Sequence, residues 1–190
     1  MQILEKFRVF LSLNPSEAEK ELLKADQQNV RSLLKDANIR WEDPEKFHLT
    51  LRFLGDIESD KIERLCSTLD RLKFDFTEIE YETTETGFFP DTKYPNVIFA
   101  GLKEINNHSQ TLVEFIDKII INFGVKPEKR FIPHITFGRF SRKKRYKLGS
   151  DIKYKLLHQK IIFASFFLMK SILTPEGSNY EIINEFSFLK

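Results

Sequence analysis

Two short phrases hold the residues with the most chemical capacity: His48-Leu49-Thr50-Leu51 and His134-Ile135-Thr136-Phe137. Both alternate apolar with polar residues, so extended backbone sets each His and its Thr on one face, about 7 Å apart along the strand. Four His and ten Thr in 190 residues supply only about 0.2 His-x-Thr phrases by chance, though so short a pattern has a real false-positive rate. An imidazole titrates near neutrality, so two of them can serve one displacement as base and acid. In-line attack at phosphorus needs such a pair on opposite sides of the reacting atom. The two Thr hydroxyls can donate to the non-bridging oxygens, whose charge must be held in the transition state. A zinc centre is poorly served, because it asks for three protein ligands and no Asp, Glu or Cys shares the strand face of either His. Nor is there a G-x-S-x-G elbow, a P-loop or a G-x-G-x-x-G. The alternative without chemistry is a pair of satisfied cross-strand histidines.

These phrases must be positioned by neighbouring elements. Residues 7–13 alternate as a strand with one face buried. Asn14 is placed to cap a helix, with Pro15 at the first helical position, Glu17 as the capping-box carboxylate and an end near Asn38. In FHLTLRF, residues 47–53, Phe47, Leu49, Leu51 and Phe53 point one way and His48, Thr50 and Arg52 the other. A second helix begins at Ser59, with Cys66 on its apolar face as a small core residue. Residues 74–86 form a strand whose phase slips between Phe76 and Ile79, as a bulge would cause. Residues 87–95 form a loop and 96–102 a strand. The third helix carries His108 on its apolar stripe, a packed histidine rather than a ligand, and ends at Gly124. Residues 131–140 are a strand; 161–173 and 179–188 form a hairpin around Thr174–Gly177, and His158 is solvated. This order suits an α+β chain with antiparallel sheet, undivided by any linker.

Composition narrows the function further. Thirty Lys and Arg against 28 Asp and Glu give a formal charge of +2, so any nucleic-acid surface has to be local. Such a patch exists at 139–147, RFSRKKRYK, which reads as a nuclear-localisation match, a solvated loop or a surface for RNA phosphates, the last two on equal terms. One Cys excludes an internal disulfide. The longest dense apolar stretch, 161–169, is about half the ~18 residues of a membrane span. With no secretory signal in MQILEKFRVF, the expected compartment is the cytoplasm. The 19 Phe read first as an aromatic core. Phe88, Phe89 or Tyr94 in the middle loop could stack on an unpaired terminal base.

With HLTL and HITF in place, the chain resembles the 2H phosphoesterases, and among them the RNA 2′,3′-cyclic phosphodiesterases, also called 2′-5′ RNA ligases. The likeness spans most of the chain: FRVFLSL, IRWEDPEKFHLTLRFLGDI, GFFPDTKYPNVIFAGL, KRFIPHITFGRF and FFLMKSILTPEGSNYEII follow in order. It implies one domain over residues 1–190, α+β and bilobal, with two pseudo-symmetric halves of antiparallel sheet flanked by helices around a central cleft. It also implies hydrolysis of a 2′,3′-cyclic phosphate at an RNA end, tRNA fragments among the candidates, to a 2′-phosphate without metal or cofactor, by a monomer. Carried over by residue, His134 is the base and His48 the acid. Thr50 and Thr136 hold phosphate oxygens, and Arg130 is a charged phosphate contact. Arg52 and Arg139, the latter out of phase with His134, are expected as solvated rim residues. Phe137 and Gly138 stand where relatives often carry a small or aliphatic residue, a change expected to alter packing more than chemistry. Two alternatives stay open: the same site acting on 2′-5′ linkages or small cyclic nucleotides, including reversible ligation, and a non-catalytic module that holds RNA ends.

Overall fold

The computed structural model describes residues 5–128, 130–141, 146–149, 152–175 and 177–189. The strands are β1 Lys6–Leu13, β2 Ile39–Trp41, β3 Leu49–Glu58, β4 Ile79–Phe89, β5 Val97–Glu104, β6 His134–Phe140, β7 Lys160–Phe163, β8 Ser165–Thr174 and β9 Gly177–Ser187. The helices are α1 Glu17–Leu33, α2 Ser59–Leu69 and α3 Ser109–Ile120. The strands form one curled antiparallel sheet in the order β7-β4-β5-β6-β3-β1-β8-β9, with β2 paired to β6. It divides into two four-stranded halves that meet, among the described residues, where Leu49 of β3 pairs with Ile135 of β6.

Helices lock the halves together. α1 follows β1 of the first half, yet its buried Gln27 donates to Phe137 O in the second half at 2.9 Å. Asp26 beside it accepts from Leu157 N at 2.9 Å, so two polar residues of α1 are themselves buried contacts. α3 follows β5 of the second half, and its Asp117 holds Arg52 of β3 through two bonds of 2.7 and 2.9 Å. The helix begins two residues later than the Asn14 reading: Ser16 is the N-cap, and its capping box closes on Glu19. Asn14 instead accepts from the Ser12 hydroxyl. α1 ends at Leu33, with Leu34 N bonded to Val30 O, and not near Asn38.

Other boundaries shift for physical reasons. β4 runs from Ile79 through Phe89, absorbing the start of the expected loop, and its irregularity falls between Thr83 and Thr86, not between Phe76 and Ile79. The apolar run 161–173 breaks at Ala164, because β7 pairs with β4 while β8 pairs with β1 on the opposite half. Apolar periodicity alone gives no warning of such a change of partner. His108 is packed as expected, stacked on Phe76 at 4.4 Å with Nδ1 donating to Glu78 O. Cys66 is half-buried, and burial pushes its thiol up. Phe74, Phe76, Phe166, Phe186 and Phe188 fill the side of the core under α3, so much of the Phe content is structural. His158 is exposed beside Glu82.

Both motif strands bulge at the same place. β1 pairs Ser12 with Thr50 but Leu11 with Arg52, leaving Leu51 as the extra residue. β5 pairs Phe99 with Thr136 but Ile98 with Gly138, leaving Phe137 as the extra residue. A one-residue bulge reverses which face the following side chains take. Arg52 therefore turns inward and is 4% exposed, while Phe53 turns out and is 57% exposed. The strict alternation read from FHLTLRF fails at that point. On β6 the reversal brings Arg139 to the face of His134 and Thr136.

Candidate active site

The β3–β6 pair of Leu49 and Ile135 sets the register between the motif strands. In an antiparallel ladder that register sets His48 opposite Thr136 and Thr50 opposite His134. All four residues line one cavity of about 460 Å3 on the concave side of the sheet. Neither Thr hydroxyl has a protein partner among the described residues, which leaves both free to donate to a ligand.

The two imidazoles are held in the same way. His48 Nδ1 lies 2.7 Å from Lys46 O, and His134 Nδ1 lies 2.8 Å from Ile132 O. A carbonyl only accepts, so Nδ1 carries the proton in each ring and Nε2 is the free nitrogen. Aromatic rings complete both settings. Phe10 and Tyr180 flank His48 at 5.0 and 5.1 Å, and Phe89 and Phe99 flank His134 at 5.0 and 5.1 Å. Burial pushes His48 down to about 4, opposed by its bond to Lys46 O and aided by the charges of His134 and Arg139. His134 is also lowered, again chiefly by burial, with Arg139 contributing. Both rings are thus neutral near pH 7, with Nε2 ready to accept a proton. An anion between them opposes that bias, because an opposite charge within a few ångströms favours the protonated ring.

Four sequence-derived site residues, His48, Thr50, His134 and Thr136, converge here. Arg130 lies to one side, in an adjoining pocket of about 210 Å3 that it shares with Thr50, Phe53, Phe89 and His134. Arg139 is exposed and lines the central cavity, so the expectation of a solvated rim residue is corrected for Arg52 alone. Arg139 reaches the cavity through the bulge, and Arg52 is a buried ion-pair partner. Of the three candidate base platforms, Phe89 lines the cavity, Phe88 is buried against Phe140, and Tyr94 lines none of these pockets. Lys46, Phe53 and Tyr180 also line the cavity and escaped the sequence reading. Phe53 was hidden by the bulge, and Tyr180 belongs to a strand distant in sequence. Of the basic segment, residues 142–145 lie outside the described residues. Among the described residues, no three His, Cys, Asp or Glu side chains gather as a metal site, and no helix is long and apolar enough to cross a membrane.

Comparison with known proteins agrees with this geometry. The profile of the family described as LigT like Phosphoesterase matches residues 13–99. The chain is 30% identical over 187 residues to an RNA 2′,3′-cyclic phosphodiesterase of Methanocaldococcus jannaschii, covering 94% of this chain and 99% of the relative. It is 28% identical over 184 residues to the protein of the same name from Thermotoga maritima, covering 95% of each. Among solved structures, TT0787 of Thermus thermophilus superposes with a TM-score of 0.78 at 23% identity, covering 95% of this chain and 97% of that one. E. coli LigT complexed with 3′-AMP gives 0.79 at 18% identity, covering 98% of this chain and all of that one. With the full-length likeness to the first of these relatives and the shared fold, this chain belongs to the LigT-like phosphoesterases of the 2H superfamily.

Proposed function

We propose that the chain hydrolyses RNA 2′,3′-cyclic phosphate ends to 2′-phosphate ends, with the two histidines as base and acid and no metal. The observation that carries this reading is the cross-strand square of His48, Thr136, His134 and Thr50, all lining one cavity. His134 Nε2 takes a proton from water as its oxygen attacks phosphorus. The bond to the 3′ oxygen breaks, and His48, protonated in the presence of the phosphate anion, gives that oxygen its proton. Thr50 and Thr136 donate to the non-bridging oxygens, and Arg139 balances their charge. Arg130 supplies charge from the adjoining pocket. Phe53 and Phe89 are apolar surfaces for the terminal base. Both His-x-Thr phrases come from one chain, which supports a single catalytic domain over residues 1–190 that works as a monomer. The named relatives support RNA as the substrate class.

The test is turnover of a short RNA ending in a 2′,3′-cyclic phosphate, in EDTA, with the position of the product phosphate read by NMR. His48→Ala and His134→Ala should each lower kcat by roughly 10²–10⁴ while RNA binding survives. A dispensable histidine, or activity lost in EDTA and restored by one metal, sinks the mechanism. Bound RNA with no turnover favours the end-binding module.

A further inference from the structure

In-line displacement sets water and the departing oxygen on opposite sides of phosphorus. With His134 beside the water, the ribose that carries the 3′ oxygen lies on the His48 side, and so does the nucleotide before it. On that side a second cavity opens, sharing Lys46, His48 and Tyr180 with the catalytic one. Its volume of about 370 Å3 falls within the ~300–1,000 Å3 of small-molecule sites. The pocket on the His134 side, about 210 Å3, falls below that range and is too small for a second nucleoside.

Lys46 stands at the junction of the two cavities. Its Nζ donates to Ser178 O at 3.0 Å and to Asn179 Oδ1 at 2.8 Å, which fixes the head group against β9. An ammonium has three N–H groups, so one remains for a ligand. The other walls mix amides (Asn14, Asn179) with apolar surface (Met169, Ile182), and Ile182 is 59% exposed. Polar edges beside apolar faces suit a nucleobase. The carboxylate in this cavity, Glu45, is engaged by Lys20 at 3.5 Å. We infer that this cavity is a subsite for the nucleotide preceding the cyclic end, with Lys46 binding the phosphodiester that joins the two. The inference rests on the phosphodiesterase reading and on His48 as its acid.

The experiment compares kcat/KM for a mononucleoside 2′,3′-cyclic phosphate and for a dinucleotide with the same end. The dinucleotide should be favoured by roughly tenfold or more, and the advantage should shrink with salt. Lys46→Met should bring the ratio close to one, and Lys46→Arg should keep part of it. Because Lys46→Met also loosens the β9 tether, Ile182→Trp provides a second route: it fills the cavity without touching Lys46 and should also erase the ratio. Equal kcat/KM for both substrates in the unaltered enzyme overturns the subsite alone. So does a Lys46→Met loss that falls equally on both, or a preference abolished by Arg130→Met instead. Turnover of neither substrate sinks the phosphodiesterase reading, and the subsite with it.

Discussion

Removing the carboxylate of Asp117 should destabilise the fold more than removing its partner Arg52. Arg52 is 4% exposed and Asp117 is 24% exposed. The pair is bidentate, at 2.7 and 2.9 Å, and the guanidinium also donates to Leu51 O at 2.9 Å. Asp117→Ala leaves a guanidinium charge in the interior with one main-chain acceptor. Breaking a buried pair from one side costs about 3–5 kcal/mol; the partly wet Asp117 end admits some water, so the lower figure applies, about 3 kcal/mol. Arg52→Met removes the charge and keeps much of the apolar stem, while the stranded carboxylate turns toward solvent. Its cost is a lost charge-assisted bond, about 1.5–2 kcal/mol. The double variant should be less damaged than Asp117→Ala alone, with a coupling of about 1–3 kcal/mol. Urea unfolding followed by circular dichroism, with constant m, measures all four corners of the cycle. At this chain length 3 kcal/mol corresponds to a fall in Tm of about 6–12 °C. A cost below about 1 kcal/mol for Asp117→Ala, with no coupling, would refute the reasoning and class the pair with exposed ion pairs. Because this contact joins α3 of one half to β3 of the other, both halves should also unfold in one transition.

Three further outcomes are expected. Stability should fall in acid: the unfolded chain protonates its His near pH 6.5, whereas His48 stays neutral in the fold down to about 4. The contribution is therefore complete above pH 6.5 and lost as pH falls toward 4, about 3 kcal/mol in all; an unchanged acid slope in His48→Gln would contradict this. Arg139→Met should raise the pKa of both His48 and His134, whose protonation its charge opposes, and should raise KM; NMR titration showing both rings unmoved would remove Arg139 from the site. Gly138→Ala places a Cβ 2.7 Å from Ile39 Cγ2 and 3.1 Å from Arg40 O. This overpacking should cost about 1–3 kcal/mol, and a stability within about 0.5 kcal/mol of the parent, the scatter of neutral surface changes, would show that β2 yields freely.

Much of the candidate site is legible in residue order. A strand needs only local alternation to declare its face, so His48, Thr50, His134 and Thr136 could be paired off within their own strands. The α+β class and the packed roles of His108 and Cys66 follow from periodicities that are likewise local. The capping box is recognisable as a type but not by position, because Asn14 with Glu17 and Ser16 with Glu19 offer the same spacing two residues apart.

The remainder depended on pairing between distant segments. A bulge is a mismatch between two strands, so nothing within FHLTLRF or HITFGRF reveals that Phe53 and Arg139 turn into the cavity while Arg52 turns away. The break at Ala164 is a choice between β4 and β1 as partners, both remote from it in sequence. Tyr180 meets His48, and Lys46 meets Asn179, only because β9 closes over the loop before β3. The low affinity of both imidazoles for a proton is a property of enclosure, since isolated His residues titrate near neutrality. Local sequence determined which groups could do the chemistry; long-range packing decided which arginine and which lysine stand beside them, and how readily the two rings accept a proton.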